Sequence, residues 1–88
     1  MQFAIFGKDH CPYCVKAVEF AKSRGLDYNY IKIGVDITRE EVIEMCAPSP
    51  VKTVPQVFVY DYVTDEDLHL GGCDDFIAWV NKNIVTPA

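Results

Sequence analysis

No stretch of the chain approaches the roughly 18 consecutive apolar residues of a membrane span. The N-terminal MQFAIFGKDH also has neither a basic start nor a long apolar middle, so no transmembrane segment and no signal peptide are expected. Positive charge is scarce. Eight Lys and Arg stand against thirteen Asp and Glu, a formal net charge of -5, which on average repels phosphate backbones and anionic membrane surfaces. Cysteine is sparse too: four in 88 residues falls short of the roughly 8–10% of a disulfide scaffold. Internal repeats, low-complexity tracts and linkers are missing, and 88 residues leave no room for a second core. These absences predict one soluble, monomeric, cytoplasmic domain spanning 1–88, with no nucleic-acid or membrane partner and with its thiols in a reducing compartment.

Apolar residues make up 50% of the chain and charged ones 24%, the balance of a folded globular protein. Phe3-Ala4-Ile5-Phe6 is a short apolar run ended by Gly7, which suits a strand buried on both faces. From Pro12 to Arg24, Cys14, Ala17, Val18 and Ala21 recur at helical spacing, with Pro12 in the first turn and Gly25 at the stop. Tyr28 to Ile33 reads as a second strand, parallel to the first through a right-handed crossover. Thr38 to Glu41 has the form of a capping box before Val42, Met45 and Cys46, a short helix ended by Pro48 and Pro50. Gln56–Tyr60 and Leu68–Leu70 read as a hairpin joined by the acidic stretch Asp61 to Asp67. After Gly71-Gly72, the spacing of Cys73, Phe76, Ile77, Val80 and Ile84 predicts a last helix to about Asn83. The expected architecture is α/β, in the order β-α-β-α-β-β-α, with a four-stranded mixed sheet flanked by helices.

Cys11-Pro12-Tyr13-Cys14 lies where a loop enters a helix. A sulfur at that position faces unpaired backbone N–H groups, which favour a thiolate. With Lys8 three residues upstream, the Cys11 thiol is expected to fall from ~8.5 towards the roughly 3.5–7.5 of such settings and to act as the nucleophile. Cys14, a turn further on and on the apolar face, stays protonated and resolves, within reach of a Cys11 disulfide. The motif alone leaves half of a zinc site equally open. Structural zinc, however, usually takes a second close pair, whereas Cys46 and Cys73 are isolated on apolar helical faces and read as buried packing.

Three segments coincide: Cys11-Pro-Tyr-Cys14 after a first strand, Thr53-Val54-Pro55 before a third, and Gly71-Gly72-Cys73-Asp74 opening the last helix. In order and spacing the chain resembles a glutaredoxin over essentially its whole length. The resemblance implies the thioredoxin-type fold and a cis Pro55 facing the dithiol. A cis bond there frees the Val54 backbone to pair with the cysteinyl main chain of a bound peptide. It further implies glutathione as cosubstrate, with Cys73 and Asp74 at its γ-glutamyl end and Thr53, Val54, Pro55 and Gly72 beside it. Tyr13 would wall the sulfurs, and Lys8 would reach the glycyl carboxylate. From the residues alone, Pro55 can equally start an edge strand, and Asp74 and Asp75 can be helix-capping acids.

The expected function is therefore glutathione-dependent thiol–disulfide exchange through Cys11 and Cys14, with no bound metal or organic cofactor. Its clients would be disulfide-bonded or glutathionylated proteins, ribonucleotide reductase among the candidates. Two alternatives stand beside it: a module in which Cys11 holds zinc or an iron–sulfur cluster, and a dedicated electron donor to an enzyme such as ribonucleotide reductase. Arg39 and Lys52 are weaker carboxylate candidates. His10 and His69 read as surface residues, the 61–67 stretch as a solvated hairpin, and Trp79 with Tyr28, Tyr30, Tyr60 and Tyr62 as packing.

Overall fold

The computed structural model describes residues 1–48 and 53–84. It contains β1 (Gln2–Gly7), α1 (Pro12–Ser23), β2 (Tyr28–Lys32), α2 (Arg39–Cys46), β3 (Gln56–Asp61), β4 (Glu66–Gly71) and α3 (Cys73–Asn83). The strands form one sheet in the order β2-β1-β3-β4. β1 runs parallel to β2 and antiparallel to β3, and β4 closes an antiparallel hairpin on β3. Of the prolines expected to end α2, Pro48 follows the cap residue Ala47, while Pro50 lies outside the described residues, as does Lys52.

Both faces of β1 are covered, which is why its sequence is continuously apolar rather than alternating. Phe3 and Ile5 face a core with Ala17 and Ala21 of α1, Val57 and Val59 of β3, and Cys73, Phe76 and Val80 of α3. Phe6 faces the other way, into a smaller cluster with Val42 and Cys46 of α2. Two helices thus cover one face and one covers the opposite face. Met45, expected on the packed side of α2, is instead exposed.

Local signals fix the helix ends. The Gly25 N–H reaches Lys22 O at 3.1 Å and the Leu26 N–H reaches Ala21 O at 3.0 Å, a Schellman stop that returns Leu26 to the core. At the start of α2, Thr38 Oγ1 accepts from the Glu41 N–H at 3.1 Å while Glu41 Oε1 accepts from the Thr38 N–H at 3.3 Å.

The hairpin departs from the expectation. β4 begins at Glu66, two residues before Leu68, so Glu66 and Asp67 are strand residues opposite Asp61 and Tyr60. The connection is only residues 62–65. Asp61 makes the turn this tight: its Oδ1 accepts from the Val63 N–H at 2.9 Å, its carbonyl accepts from the Asp65 N–H at 2.8 Å, and Asp65 adopts φ 57°. Aspartate tolerates that left-handed conformation better than most residues. Strand propensity did not reveal this because β4 lies at the sheet edge, where acidic residues can stay solvated.

Candidate active site

Cys11 is the N-cap of α1, with extended backbone at φ -111° and ψ 108°. Pro12 has no N–H, and the Val15 N–H is taken by Cys11 O at 3.1 Å. The Cys14 N–H points at Cys11 Sγ across 3.2 Å. The helix start therefore presents its own donor to the sulfur, the arrangement that stabilises negative charge there. Cys11 and Cys14 are joined as a disulfide, with their Cα atoms 5.2 Å apart. Cys14 is the deeper of the two, only 1% exposed against 8% for Cys11.

Behind the disulfide, β1 ends at Gly7, and the absence of a side chain there is required. A Cβ on Gly7 would lie 2.8 Å from Cys14 Sγ and 2.6 Å from the Tyr30 hydroxyl. Gly7→Ala should therefore destabilise the fold by about 1–3 kcal/mol through overpacking. It should also push Cys14 away from Cys11, so that the urea midpoint and the rate of disulfide closure fall together. An alanine variant as stable as the parent would show that the space behind Cys14 is free.

In front of the disulfide lies the Thr53-Val54-Pro55 turn. The Val54–Pro55 peptide bond is cis, and Pro55 leads into β3, an interior strand rather than an edge. Cys11 Sγ stands 3.7 Å from Val54 O. Gln56, buried at the start of β3, secures the turn. Its Nε2 donates to Thr53 O at 2.8 Å, and its Oε1 lies 2.8 Å from His69 Nε2 on β4. The His69 ring stacks on Phe58 at 4.7 Å and is half-buried, so it is a structural partner of the turn and not the free surface residue expected.

The third wall is the start of α3. The carboxylate of Asp75 turns back to accept from the Gly72 N–H at 3.3 Å. Gly71 makes room for it: the backbone there has φ 111°, and a Cβ would come within 2.5 Å of that carboxylate. Of the two acids read as possible caps, Asp75 is the one that caps. Asp74 is left exposed, with only a long 3.8 Å contact to Lys16. Cys73 is buried, and burial pushes its thiol above the usual range, with Lys16 opposing and Asp74 adding to the rise. Burial also raises the Cys46 thiol, on the far side of the sheet.

These walls enclose an open cleft of about 270 Å³ lined by Tyr13, Thr53, Val54, Pro55, Gly72, Cys73, Asp74 and Asp75. Seven of the sequence-derived candidates therefore share one surface beside Cys11. Lys8 does not line the cleft; it is exposed between β1 and α1, and its carbonyl accepts from the Tyr30 hydroxyl at 3.2 Å. Arg39 is exposed at the start of α2 and is likewise outside the lining.

A glutaredoxin family model matches residues 3–63. The chain belongs to the glutaredoxin family. It is 38% identical over 89 residues to glutaredoxin 1 of Escherichia coli, covering 96% of this chain and 98% of that one. To glutaredoxin of Vibrio cholerae it is 36% identical, covering 96% and 95%. Among solved structures, reduced Escherichia coli glutaredoxin superposes with a TM-score of 0.77 at 40% identity, covering 96% and 98%. The oxidised form of that protein gives 0.73 over the same coverage. The fold is therefore the thioredoxin-like fold of glutaredoxins, and the chain is a glutathione-dependent thiol–disulfide oxidoreductase whose redox centre is the Cys11–Cys14 dithiol. The metal-binding alternative gains no support. Among the described residues, no group of three or more His, Cys, Asp or Glu side chains comes together as a donor set.

Gly7, Tyr30 and Gln56 are the site components that sequence reasoning missed. Gln56 carried a usable signal, since a lone amide in the run Gln-Val-Phe-Val demands a buried partner. Tyr30 and Gly7 carried none, because the approach of Tyr30 to Gly7 depends on the parallel pairing of β1 with β2.

Proposed function

We propose that the cleft beside Cys11 binds glutathione as a mixed disulfide on that cysteine. The observation that carries this reading is the convergence of three kinds of recognition chemistry on one 270 Å³ cleft next to the reactive sulfur. The Val54 backbone offers an N–H and a C=O for the cysteinyl main chain, as an added strand would find them. The α3 N-terminus offers N–H groups to a carboxylate. Asp74, free of capping duty, offers a carboxylate to the γ-glutamyl ammonium group.

In this reading Cys11 thiolate attacks a glutathionylated thiol, forming a Cys11–glutathione disulfide and releasing the client as a thiol. A second glutathione thiolate then attacks the glutathione sulfur and restores Cys11. For protein disulfides, Cys11 forms the mixed disulfide with the client and Cys14 displaces it. Tyr13 walls the cleft, Thr53 and Pro55 shape the turn, and Gly72 and Cys73 form the floor under the γ-glutamyl end. Lys8 adds positive charge near Cys11 and reaches towards the glycyl carboxylate from outside the lining. The whole reaction is carried by a single domain, residues 1–88, acting as a cytoplasmic monomer on disulfide-bonded or glutathionylated proteins. Ribonucleotide reductase is one candidate client for this dithiol route.

Mass spectrometry of reduced protein mixed with oxidised glutathione tests the proposal. One glutathione adduct at Cys11, followed by conversion to the intramolecular disulfide, is the expected sequence. Asp74→Ala separates binding from sulfur activation. Loss of one partly exposed ion pair should raise the apparent glutathione KM about threefold to fivefold while the pH profile of Cys11 alkylation stays in place. Equal effects on both would reassign Asp74 to the electrostatics of the helix end.

A further inference from the structure

The open side of Gly7 brings together two groups that the reaction scheme above does not connect. Cys14 Sγ and the Tyr30 hydroxyl both approach the point where a Gly7 Cβ would stand, at 2.8 and 2.6 Å. This shared approach to Gly7 follows from the sheet. Gly7 pairs with Lys32 in the parallel β1–β2 ladder, which sets the Tyr30 side chain beside the end of β1. The hydroxyl is held there by donating to Lys8 O at 3.2 Å. The pair is closed off from solvent on the Cys14 side, where only 1% of the residue is exposed.

Burial poses a chemical difficulty for the resolving step. Cys14 must become a thiolate to attack, yet its surroundings offer little solvation for the charge. The backbone donor of this turn, the Cys14 N–H, is directed to Cys11. The Tyr30 side chain is a hydroxyl that stays protonated at neutral pH: burial raises its pKa first, Asp9 adds to the rise, and Lys32 opposes it. It can turn its proton from the Lys8 carbonyl to a neighbouring anion.

We infer that Tyr30 is a positioning residue for the resolving cysteine, its hydroxyl donating a hydrogen bond to the Cys14 thiolate as that thiolate attacks the mixed disulfide. The step balances. Cys14 Sγ gives its proton to solvent, and the thiolate forms a bond to Cys11 Sγ. The Cys11–glutathione S–S bond breaks, and the electron pair leaves on the glutathione sulfur, which takes up a proton. The dithiol is oxidised and one glutathione is reduced. Tyr30 is unchanged at the end, since its hydroxyl returns to Lys8 O.

The inference rests on the Cys11–glutathione adduct proposed above, and one experiment separates the two. Reduced protein is mixed with oxidised glutathione, and the adduct is followed through time by mass spectrometry after acid quench. Failure of any adduct to appear at Cys11 would overturn the glutathione reading itself. If the adduct forms, its lifetime reports on Tyr30. Tyr30→Phe keeps the ring and should lengthen that lifetime about tenfold, the factor expected for a lost hydrogen bond to a charged sulfur, with adduct formation unaltered. Substituting 3-fluorotyrosine at position 30 retains the hydroxyl and makes it a stronger donor, so the lifetime should return to the parent value or below. Equal lifetimes in parent and phenylalanine variant would overturn the role. So would equal slowing of formation and resolution, or a fluorotyrosine protein as slow as the phenylalanine one.

Discussion

Cys11→Ser should reduce both activities, deglutathionylation and protein-disulfide reduction, to the uncatalysed rate, whereas Cys14→Ser should keep the first and lose the second. The asymmetry follows from depth and donors. Cys11 Sγ faces the cleft, receives the Cys14 N–H at 3.2 Å and lies 3.7 Å from the Val54 carbonyl. It therefore has a stabilising donor for the thiolate and an acceptor for the thiol. A serine hydroxyl in the same place remains protonated at neutral pH and has no reductive chemistry to offer. Cys14 sits behind it, against Gly7, and is only 1% exposed. Serine there leaves the Cys11–glutathione adduct without an internal competitor, so turnover with glutathione continues and client disulfides stall as mixed disulfides. Assays with a glutathionylated peptide and with a protein disulfide, run on both variants, decide the matter. A Cys11→Ser protein with measurable exchange through Cys14 would reverse the assignment of nucleophile and resolver.

The place of Cys11 at the cap of α1 is legible in the sequence because it depends on local geometry alone. A cysteine, a proline and three more residues suffice to start α1 with Cys11 at its cap. The same holds for the Thr38–Glu41 capping box and the Gly25 stop, each of which closes within one turn of chain. The strand ends were less readable. Glu66 and Asp67 belong to β4 through pairing with Asp61 and Tyr60, and no propensity in Glu-Asp-Leu announces that. The site behaves in the same way. Segments carrying a marked motif, such as Cys-Pro-Tyr-Cys or Gly-Gly-Cys-Asp, could be read in isolation. The supports that hold those segments against one another, Gln56 to Thr53 and His69, and Tyr30 to Lys8, span 3 to 22 residues and become evident only once the sheet is assembled. Asp74 and Asp75 illustrate the limit most simply. Adjacent and identical in type, they are divided by which carboxylate turns back to Gly72: Asp75 caps the helix, and Asp74 stays exposed on the cleft lining.

Phe76→Ala should cost about 3–5 kcal/mol, a large share of the roughly 5–15 kcal/mol available to a small domain. Phe76 is fully buried, and its ring meets Phe3 of β1 at 5.3 Å and Phe20 of α1 at 5.4 Å. It therefore joins the central strand and both helices of one face at a single point. Truncation removes both ring contacts and leaves a cavity that the sheet, fixed by its ladders, cannot collapse to fill. The effect should extend to the cleft, because the Phe76 N–H bonds Gly72 O at 2.9 Å in the first turn of α3. Losing the ring loosens the turn that presents Cys73 and Asp74. Urea unfolding should show a midpoint shift in line with the lost energy, and glutathione KM measured well below the transition should rise as well. Phe76→Leu, which retains most of the volume, should recover much of both losses. A fall in stability with an unchanged KM would mean that the α3 N-terminus is held by Asp75 and Gly71 alone. A loss below about 1 kcal/mol would fall outside the range for truncating a buried phenylalanine and would place the ring nearer the surface than the packing of α1 against α3 requires.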